Sequence, residues 1–149
     1  MSFGHLNHGK PPLEVPQVTG QTSDIISFGC AEAVTAGDWV DLDAAATAGG
    51  EARVQQVVAG NGTGLCVGVA LETVTAATVA AGGALVRVCV AGYCENAKSA
   101  NGIAQGAAFV SAAGESIAAA ATGSLTPLLG VALELSAGAT VDCYIFRQF

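Results

Sequence analysis

The chain has 149 residues, a length typical of one domain, and it carries a net charge of −7 with a pI of about 4.4. Five Lys and Arg residues are too few for the basic stripe that neutralises a phosphate backbone, so we expect no direct contact with nucleic acid. Charged residues make up 11% of the chain, against about 25% in an average protein, and such a surface favours association with other subunits over a monomer.

Residues 1–24 differ in composition from the rest of the chain. They hold three of the four prolines and both histidines, and their apolar residues follow no period. Because proline fixes φ and removes a hydrogen-bond donor, this composition predicts an extended N-terminal arm, with a disordered tail as the alternative. The side chains of the arm that could dock onto a neighbouring protein subunit are Phe3, Leu6, Leu13, Val15 and Val18.

Residues 25–149 form the predicted folded domain, in which short apolar runs alternate with Gly-rich turns. The predicted strands, in chain order, are 25–33, 39–43, 53–58, 65–72, 85–90, 107–111, 128–135 and 140–146, with a short piece around Ile117. The pair Asn61-Gly62 predicts a tight hairpin between the third and fourth strands. Two Ala-containing segments, 95–100 and 116–122, could each form a short helix. The predicted fold class is all-β: a small barrel or sandwich of short antiparallel strands.

Part of the sequence is repeated. Gly68-Val69-Ala70-Leu71-Glu72 recurs identically at 130–134. Each copy is followed by a Gly-Ala-x-Val segment and preceded by a Gly-led strand that contains an aromatic residue and Val. These flanking segments are 37–40, 83–86, 106–110 and 138–141. Three matches in the same order predict two related β-units that close on each other, each covering the apolar face of the other.

The residue types that carry catalysis do not form a set in this sequence. His5 and His8 both fall in the proline-rich arm, where no packed scaffold would hold a catalytic imidazole. The glycine-rich stretch 60–64 lacks the Lys-Ser/Thr that ends a phosphate-binding loop, and a strand follows it instead of a helix. We therefore expect that the chain is not an enzyme and has no catalytic residues, no metal and no cofactor.

Acidic residues cluster at Asp38, Asp41 and Asp43. We interpret this cluster as a solvated strand face, because the spacing is not that of a calcium-binding loop. Glu72 and Glu134 occupy equivalent positions in the repeat. We expect them to end strands or cap loops and not to form a catalytic pair.

The single Trp and the five cysteines are interpreted as core residues. Trp39 is predicted to anchor the core of the first β-unit. The cysteines, at 30, 66, 89, 94 and 143, are odd in number, and Cys66, Cys89 and Cys143 lie within predicted strands that are rich in Val, Leu and Ile. Their spacing is not that of a redox or zinc motif, so we expect inert thiols that pack as small apolar groups.

The motifs AGDWVDL, CVGVALE, GALVRVCVAGY, QGAAFV, LLGVALE and GATVDCYIF occur in this order between residues 36 and 146. Over residues 26–149 this pattern of Gly-led strands resembles the capsid decoration (cement) proteins of tailed bacteriophages, of the β-tulip type. The resemblance implies a structural protein that binds the outer surface of an assembled phage head and stabilises the lattice of the major capsid protein. It also implies a homo-trimer or other homo-oligomer with N-terminal arms that extend over neighbouring subunits.

The expected location is the outer capsid surface of the virion, after synthesis in the host cytoplasm. The first residues hold no basic and then apolar run, so we expect no signal peptide, and no apolar stretch reaches the ~18 residues that a membrane span needs. One alternative is a minor fibre or knob protein that attaches to the host surface. Another is an enzyme or small-molecule binder built on a β-barrel.

Overall fold

Nearly all regular secondary structure among the described residues is β-strand. The computed structural model describes residues 23–43, 56–60, 65–100, 102–112, 115–118, 128–136 and 138–146. The strands are β1 (Ser23–Cys30), β2 (Trp39–Leu42), β3 (Gln56–Ala59), β4 (Cys66–Ala70), β5 (Leu85–Lys98), β6 (Ala108–Ala112), β7 (Glu115–Ala118), β8 (Gly130–Ala132) and β9 (Thr140–Ile145), and the one short helix in this part of the chain is α1 (Ala76–Ala80).

Five of the strands form a closed barrel. They follow the order β1-β3-β2-β4-β5, and an antiparallel pairing between β1 and β5 closes the ring. The pair β1–β3 is parallel, whereas the other pairs in the barrel are antiparallel. The predicted all-β fold is confirmed, with this one parallel pair as the exception to antiparallel strands.

The long strand β5 belongs to both halves of the fold. Its first part pairs with β1 and β4, and from Gly92 onward it pairs with β9, after which β8, β6 and β7 follow. Gly92 lies opposite both Ser23 and Ile145, so β1 and β9 lie on opposite edges of β5. A bulge follows, where Asn96 adopts a φ of +54°. A bulge bends a strand, and this bulge lies in the part of β5 that pairs with β9.

The sequence repeat is also a structural repeat. The order β3-β2-β4-β5 in the first half matches β7-β6-β8-β9 in the second. The N–H of the turn glycine donates to the alanine carbonyl of the repeated motif in both halves, and the N–H of the repeated leucine donates to the neighbouring strand. These bonds are Gly37 to Ala70, Gly106 to Ala132, Leu71 to Arg87 and Leu133 to Asp142, each 2.8 Å long. The prediction of two related β-units is confirmed.

The two repeated glutamates make the same bond in the two halves. Glu72 Oε1 accepts the Arg87 N–H at 2.9 Å, and Glu134 Oε1 accepts the Asp142 N–H at 3.1 Å. Each carboxylate thus satisfies a backbone donor at the point where strand pairing ends. This agrees with the prediction that both residues cap loops at the ends of strands.

The buried residues form two clusters. One fills the first barrel and is built mainly from valines of β2, β3, β4 and β5 together with Phe28. The other lies between the two units, where Trp39 packs edge-to-face on Phe109 with ring centroids 5.3 Å apart. Trp39 is a core anchor as predicted, but it packs against the second unit as well as its own. All five cysteines are buried, which confirms their predicted packing as small apolar groups.

Helix was predicted in the wrong places. Residues 95–98 form the end of β5, where Ala97 pairs with Val141 of β9, and residues 116–118 belong to β7. Strand pairing outweighs the helix propensity of alanine, which is worth less than about 1 kcal/mol per residue. The observed helix α1 was not predicted; it begins after Thr75, whose hydroxyl accepts the Thr78 N–H at 3.3 Å.

The predicted hairpin between the third and fourth strands is also wrong. β2 lies between β3 and β4 and pairs with both, so β3 and β4 are not neighbours. The pair Asn61-Gly62 itself lies outside the described residues. A local turn signal does not predict that another strand lies between the two strands that the turn connects in sequence.

In each half of the sheet, a glycine allows two neighbouring strands to approach closely. Replacing Gly68 by alanine tests this close approach in the first half. A Cβ at Gly68 would lie far inside van der Waals contact of the Cys89 carbonyl oxygen, and one at Gly130 would meet the Tyr144 carbonyl in the same way. We expect Gly68→Ala and Gly130→Ala each to lower the free energy of unfolding by about 2–3 kcal/mol, because β4 or β8 must move away from its neighbour.

The matched control for these substitutions is Gly138→Ala. A Cβ there meets no atom within 4 Å, so we expect no loss of stability and a gain of up to about 1 kcal/mol. Chemical denaturation of the three variants provides the measurement. Equal stabilities of Gly68→Ala and Gly138→Ala would contradict the close approach.

Candidate interaction surface

The acidic cluster is structural and not a solvated face. Asp38 is buried and accepts hydrogen bonds from Lys98 Nζ at 2.9 Å and from the Thr35 N–H at 2.8 Å, and Asp41 is 1% exposed. The indole N–H of Trp39 donates to the Lys98 carbonyl at 3.0 Å. The interpretation of this cluster as solvated is therefore wrong for Asp38 and Asp41. Asp38 and Trp39 tie the end of β5 to the start of β2.

The thiols are held in their neutral form. The pKa of Cys94 is raised to about 12, chiefly by its hydrogen bond to Cys143 and also by burial, and the hydrogen bond to Cys94 is the main cause that raises the pKa of Cys89. Burial raises the pKa of Cys30. Because the thiolate is the reactive form of cysteine, these three groups are poor nucleophiles at neutral pH.

The described parts of the chain hold neither a metal-ligand cluster nor a membrane-spanning helix. No group of three or more His, Cys, Asp or Glu side chains there is placed to hold a metal ion. Within those ranges, no helix is both long and apolar enough to cross a membrane.

An exposed aromatic surface runs across β5, β9 and β8. Tyr93, Tyr144 and Val131 lie directly opposite one another on these three strands, and Phe146 follows two residues after Tyr144. Tyr144 is 46% exposed and Phe146 is 38% exposed. We call these four residues the tyrosine face. Exposed aromatic side chains of this kind are enriched at protein–protein interfaces.

The tyrosine face has an acidic margin. The Tyr93 hydroxyl donates to Asp142 Oδ2 at 3.1 Å, and Asp142 Oδ1 accepts the Asn96 N–H at 3.0 Å. Burial and this hydrogen bond to a carboxylate raise the pKa of Tyr93 to about 12. Glu95 is exposed beside them on β5. The hydroxyl therefore stays protonated and fixed in direction at any physiological pH.

An open groove of about 520 Å³ borders the tyrosine face. Its walls come from the start of β1, the turn at Gly37 and the bulge of β5, and they include Ser23, Ile25 and Tyr93. The Ser23 hydroxyl donates to the Tyr93 carbonyl, so the first described residue of the chain lies at the junction of groove and face. Ile25, which lies opposite Cys89 on β5, is 50% exposed and lines this groove.

The candidate contact residues of the arm lie outside the described part of the chain, as do both histidines. They are Phe3, Leu6, Leu13, Val15, Val18, His5 and His8. β1 begins at Ser23, two residues before the domain boundary expected from composition.

The tyrosine face was not predicted as a site. Its signal is the alternation within 140–146, where Val141, Cys143 and Ile145 point inward while Tyr144 and Phe146 face out. The segment is correctly predicted as a strand, but the prediction does not assign its alternate residues to a buried and an exposed face. An outward aromatic residue in a strand with an apolar inner face is the pattern that would have identified the surface.

The titration of Tyr93 tests the geometry of this surface. The chain has two tyrosines, so Tyr144→Phe leaves Tyr93 as the only phenol, and its ionisation can be followed by ultraviolet absorbance. We expect a midpoint near pH 12 in that variant. Because the folded pKa lies above the unfolded value of about 10, this group stabilises the fold fully below about pH 10 and loses that effect as the pH rises through about 12.

The control for this titration is Asp142→Asn in the same background. It removes the carboxylate charge while keeping an oxygen acceptor, so the midpoint should move towards about 10. A midpoint near that ordinary value with Asp142 intact would show that the hydrogen bond does not hold in solution.

Comparison with known proteins identifies a fold and no family. No protein-family model matches the chain, and no curated protein matches it in sequence. Among solved structures, it is similar to the head fiber gp8.5 N base of bacteriophage phi29, with a TM-score of 0.56 and 17% sequence identity. The match covers 85% of this chain and 96% of that chain. At this identity the likeness establishes that the two chains share a fold.

Proposed function

We propose that this chain is a structural protein of a bacteriophage head, which binds the outer surface of the assembled shell and stabilises the lattice of the major capsid protein. The observation that carries this proposal is the shared fold with the head fiber gp8.5 N base over 96% of that protein's chain. In this proposal the chain acts as a homo-trimer or other homo-oligomer, and it is not an enzyme.

The surface chemistry supports docking on protein. The chain is acidic and poor in charge, so nothing favours contact with the packaged genome. The tyrosine face offers an apolar contact area with an acidic rim, and an apolar centre with a polar rim is the usual arrangement of a protein interface. Burial contributes about 25 cal/mol per Å² of apolar surface, and the same contact recurs at every equivalent site of a symmetric shell.

A protein that binds one state of an assembly and not the other stabilises the state that it binds. A protein that contacts several capsid subunits at once binds the closed lattice and not the separated subunits. It therefore stabilises the lattice in proportion to its occupancy, and a small free energy per copy is multiplied over the shell. The chain needs no catalytic group for this role.

A second candidate function is the base of a head fibre, or a knob that attaches to the host surface. The same fold likeness favours it, because the neighbour is itself described as the N base of a head fiber. The two candidates differ in copy number and in mechanical effect. A lattice-stabilising protein covers the shell, whereas a fibre base presents a further segment or domain outward.

The copy number of this chain relative to the major capsid protein distinguishes the two. For lattice stabilisation we expect a simple lattice fraction in purified particles, and particles that lack the protein should release DNA at a lower temperature. A few copies per particle with unchanged thermal stability would favour the fibre base. Absence from the particle would contradict both candidates.

Removal of residues 1–22 tests whether the arm contributes to docking while leaving β1 whole. We expect at least about tenfold weaker binding to capsids and an unchanged free energy of unfolding of the domain. The control is Leu85→Ser, which changes an exposed apolar residue of the domain and leaves the arm intact. Equal occupancy of the truncated and full-length chains on capsids would count against a role for the arm.

A further inference from the structure

We propose that the tyrosine face is the docking site for a segment of the same chain, residues 13–18, before any partner is bound. This inference concerns the free protein and does not depend on the proposed function. It follows from where the described chain begins, from the length of the segment that precedes it and from the chemistry of the face.

The chain enters the described fold beside the face. Ser23 lies opposite Gly92 on β5, and its hydroxyl donates to the carbonyl of Tyr93. Residues that precede Ser23 therefore start within one strand spacing of the first tyrosine. No long linker separates them from the face.

The segment has the length to cover the face. From β1, where the arm joins the fold, to the far edge of the face on β8 there are three strand spacings of about 4.8 Å, or roughly 14 Å. Five residues, 18–22, reach up to about 17 Å when extended. Residues 13–18 can thus lie over Tyr144, Val131 and Phe146 without strain in the connection.

The chemistry of the two surfaces matches. Residues 13–18 read Leu-Glu-Val-Pro-Gln-Val, with apolar side chains at 13, 15, 16 and 18. Proline-containing extended segments dock on aromatic-lined surfaces, because proline lowers the entropy that is lost on binding. Tyr144 and Phe146 supply two exposed rings of the eight aromatic residues in the chain.

The net charge of the arm does not oppose docking. In residues 1–22 the single Lys10 and the single Glu14 cancel, so residues 23–149 carry the whole net charge of −7. The face is bordered by Asp142 and Glu95. Glu14 lies within the docking segment and Lys10 lies three residues before it, so the segment and its flank together bring no net charge to this acidic border.

Hydrogen–deuterium exchange of the free, full-length protein tests the inference. We expect the amides of Leu13, Glu14, Val15, Gln17 and Val18 to exchange about tenfold more slowly than in an unstructured peptide, which corresponds to docking for about 90% of the time. The double variant Tyr144→Ser/Phe146→Ser should lose this protection. Both residues are exposed, so the variant is expected to keep the fold.

Two control variants separate docking on the tyrosine face from a general effect of removing apolar surface. Leu85→Ser removes a more exposed apolar side chain, 65% accessible, at the opposite end of the β1–β5 pairing from Tyr93, and it should leave the protection unchanged. The triple variant Leu13→Ser/Val15→Ser/Val18→Ser should lose the protection while the domain amides keep theirs. Protection should not depend on protein concentration, because the contact lies within one chain.

Three outcomes would overturn the inference. Unprotected amides at 13–18 in the wild-type chain would show that the face is not covered. Protection that survives Tyr144→Ser/Phe146→Ser would place the segment elsewhere. Protection that rises with protein concentration would assign the face to the arm of another copy. None of these results bears on the copy number in particles, so failure here is distinct from failure of the proposed function.

Discussion

The fold depends on β5, because this strand pairs with strands of both halves of the sheet. On one edge it pairs with β1 and closes the barrel, and on the other it pairs first with β4 and then with β9. A strand of 14 residues can do this only if it bends, and the bulge at Asn96 provides the bend. The turn at Gly37 then lies so close to the Asn96 carbonyl that a side chain there would collide with it. The bulge and the turn are thus packed against each other, and the ion pair between Lys98 and Asp38 links the two segments.

The internal duplication explains why a chain with so few large apolar residues folds. A unit of about 60 residues buries only about 60% of its surface and is marginal alone. Here the second cluster draws side chains from both units, with Trp39 of one against Phe109 of the other. Each unit thus completes the core of its partner. The two glutamate caps and the two buried glycines recur because each half needs the same close contact between its strands.

The fold was largely predictable because its strands alternate and its turns carry glycine. The repeat, read from five identical residues, correctly indicated two related units. Strand order was not predictable, since Asn61-Gly62 signals a local turn while β2 inserts between β3 and β4. Residues 95–98 were misassigned because propensity is a local property, whereas their pairing partner lies more than about 40 residues away in β9.

The site was harder to predict than the fold, for a physical reason. The acidic cluster is conspicuous in the sequence, but the sequence does not show that Asp38 is paired with Lys98. A carboxylate that is paired in the fold therefore cannot be distinguished by sequence from one that faces solvent. The exposed aromatic residues were hidden in a strand whose inner face is apolar. Alternate residues of β9 point to opposite faces of the sheet. Which of the two sets is buried is decided only when one face of the sheet packs against the core.

One ring of the tyrosine face, that of Tyr93, is held in place by a hydrogen bond, and this bears on any partner that the face contacts. Asp142 accepts hydrogen bonds from the Tyr93 hydroxyl and from the Asn96 N–H, so one carboxylate fixes the ring of Tyr93 to the bulge of β5. The Tyr93 hydroxyl is protonated across the physiological pH range and can donate this bond throughout it. Because the ring is already ordered, little side-chain entropy remains to be lost on docking. The bulge that lets β5 pair with both halves of the sheet is therefore also bonded, through Asp142, to a residue of the tyrosine face. A change at Asn96 or Asp142 would alter both the fold and this contact surface.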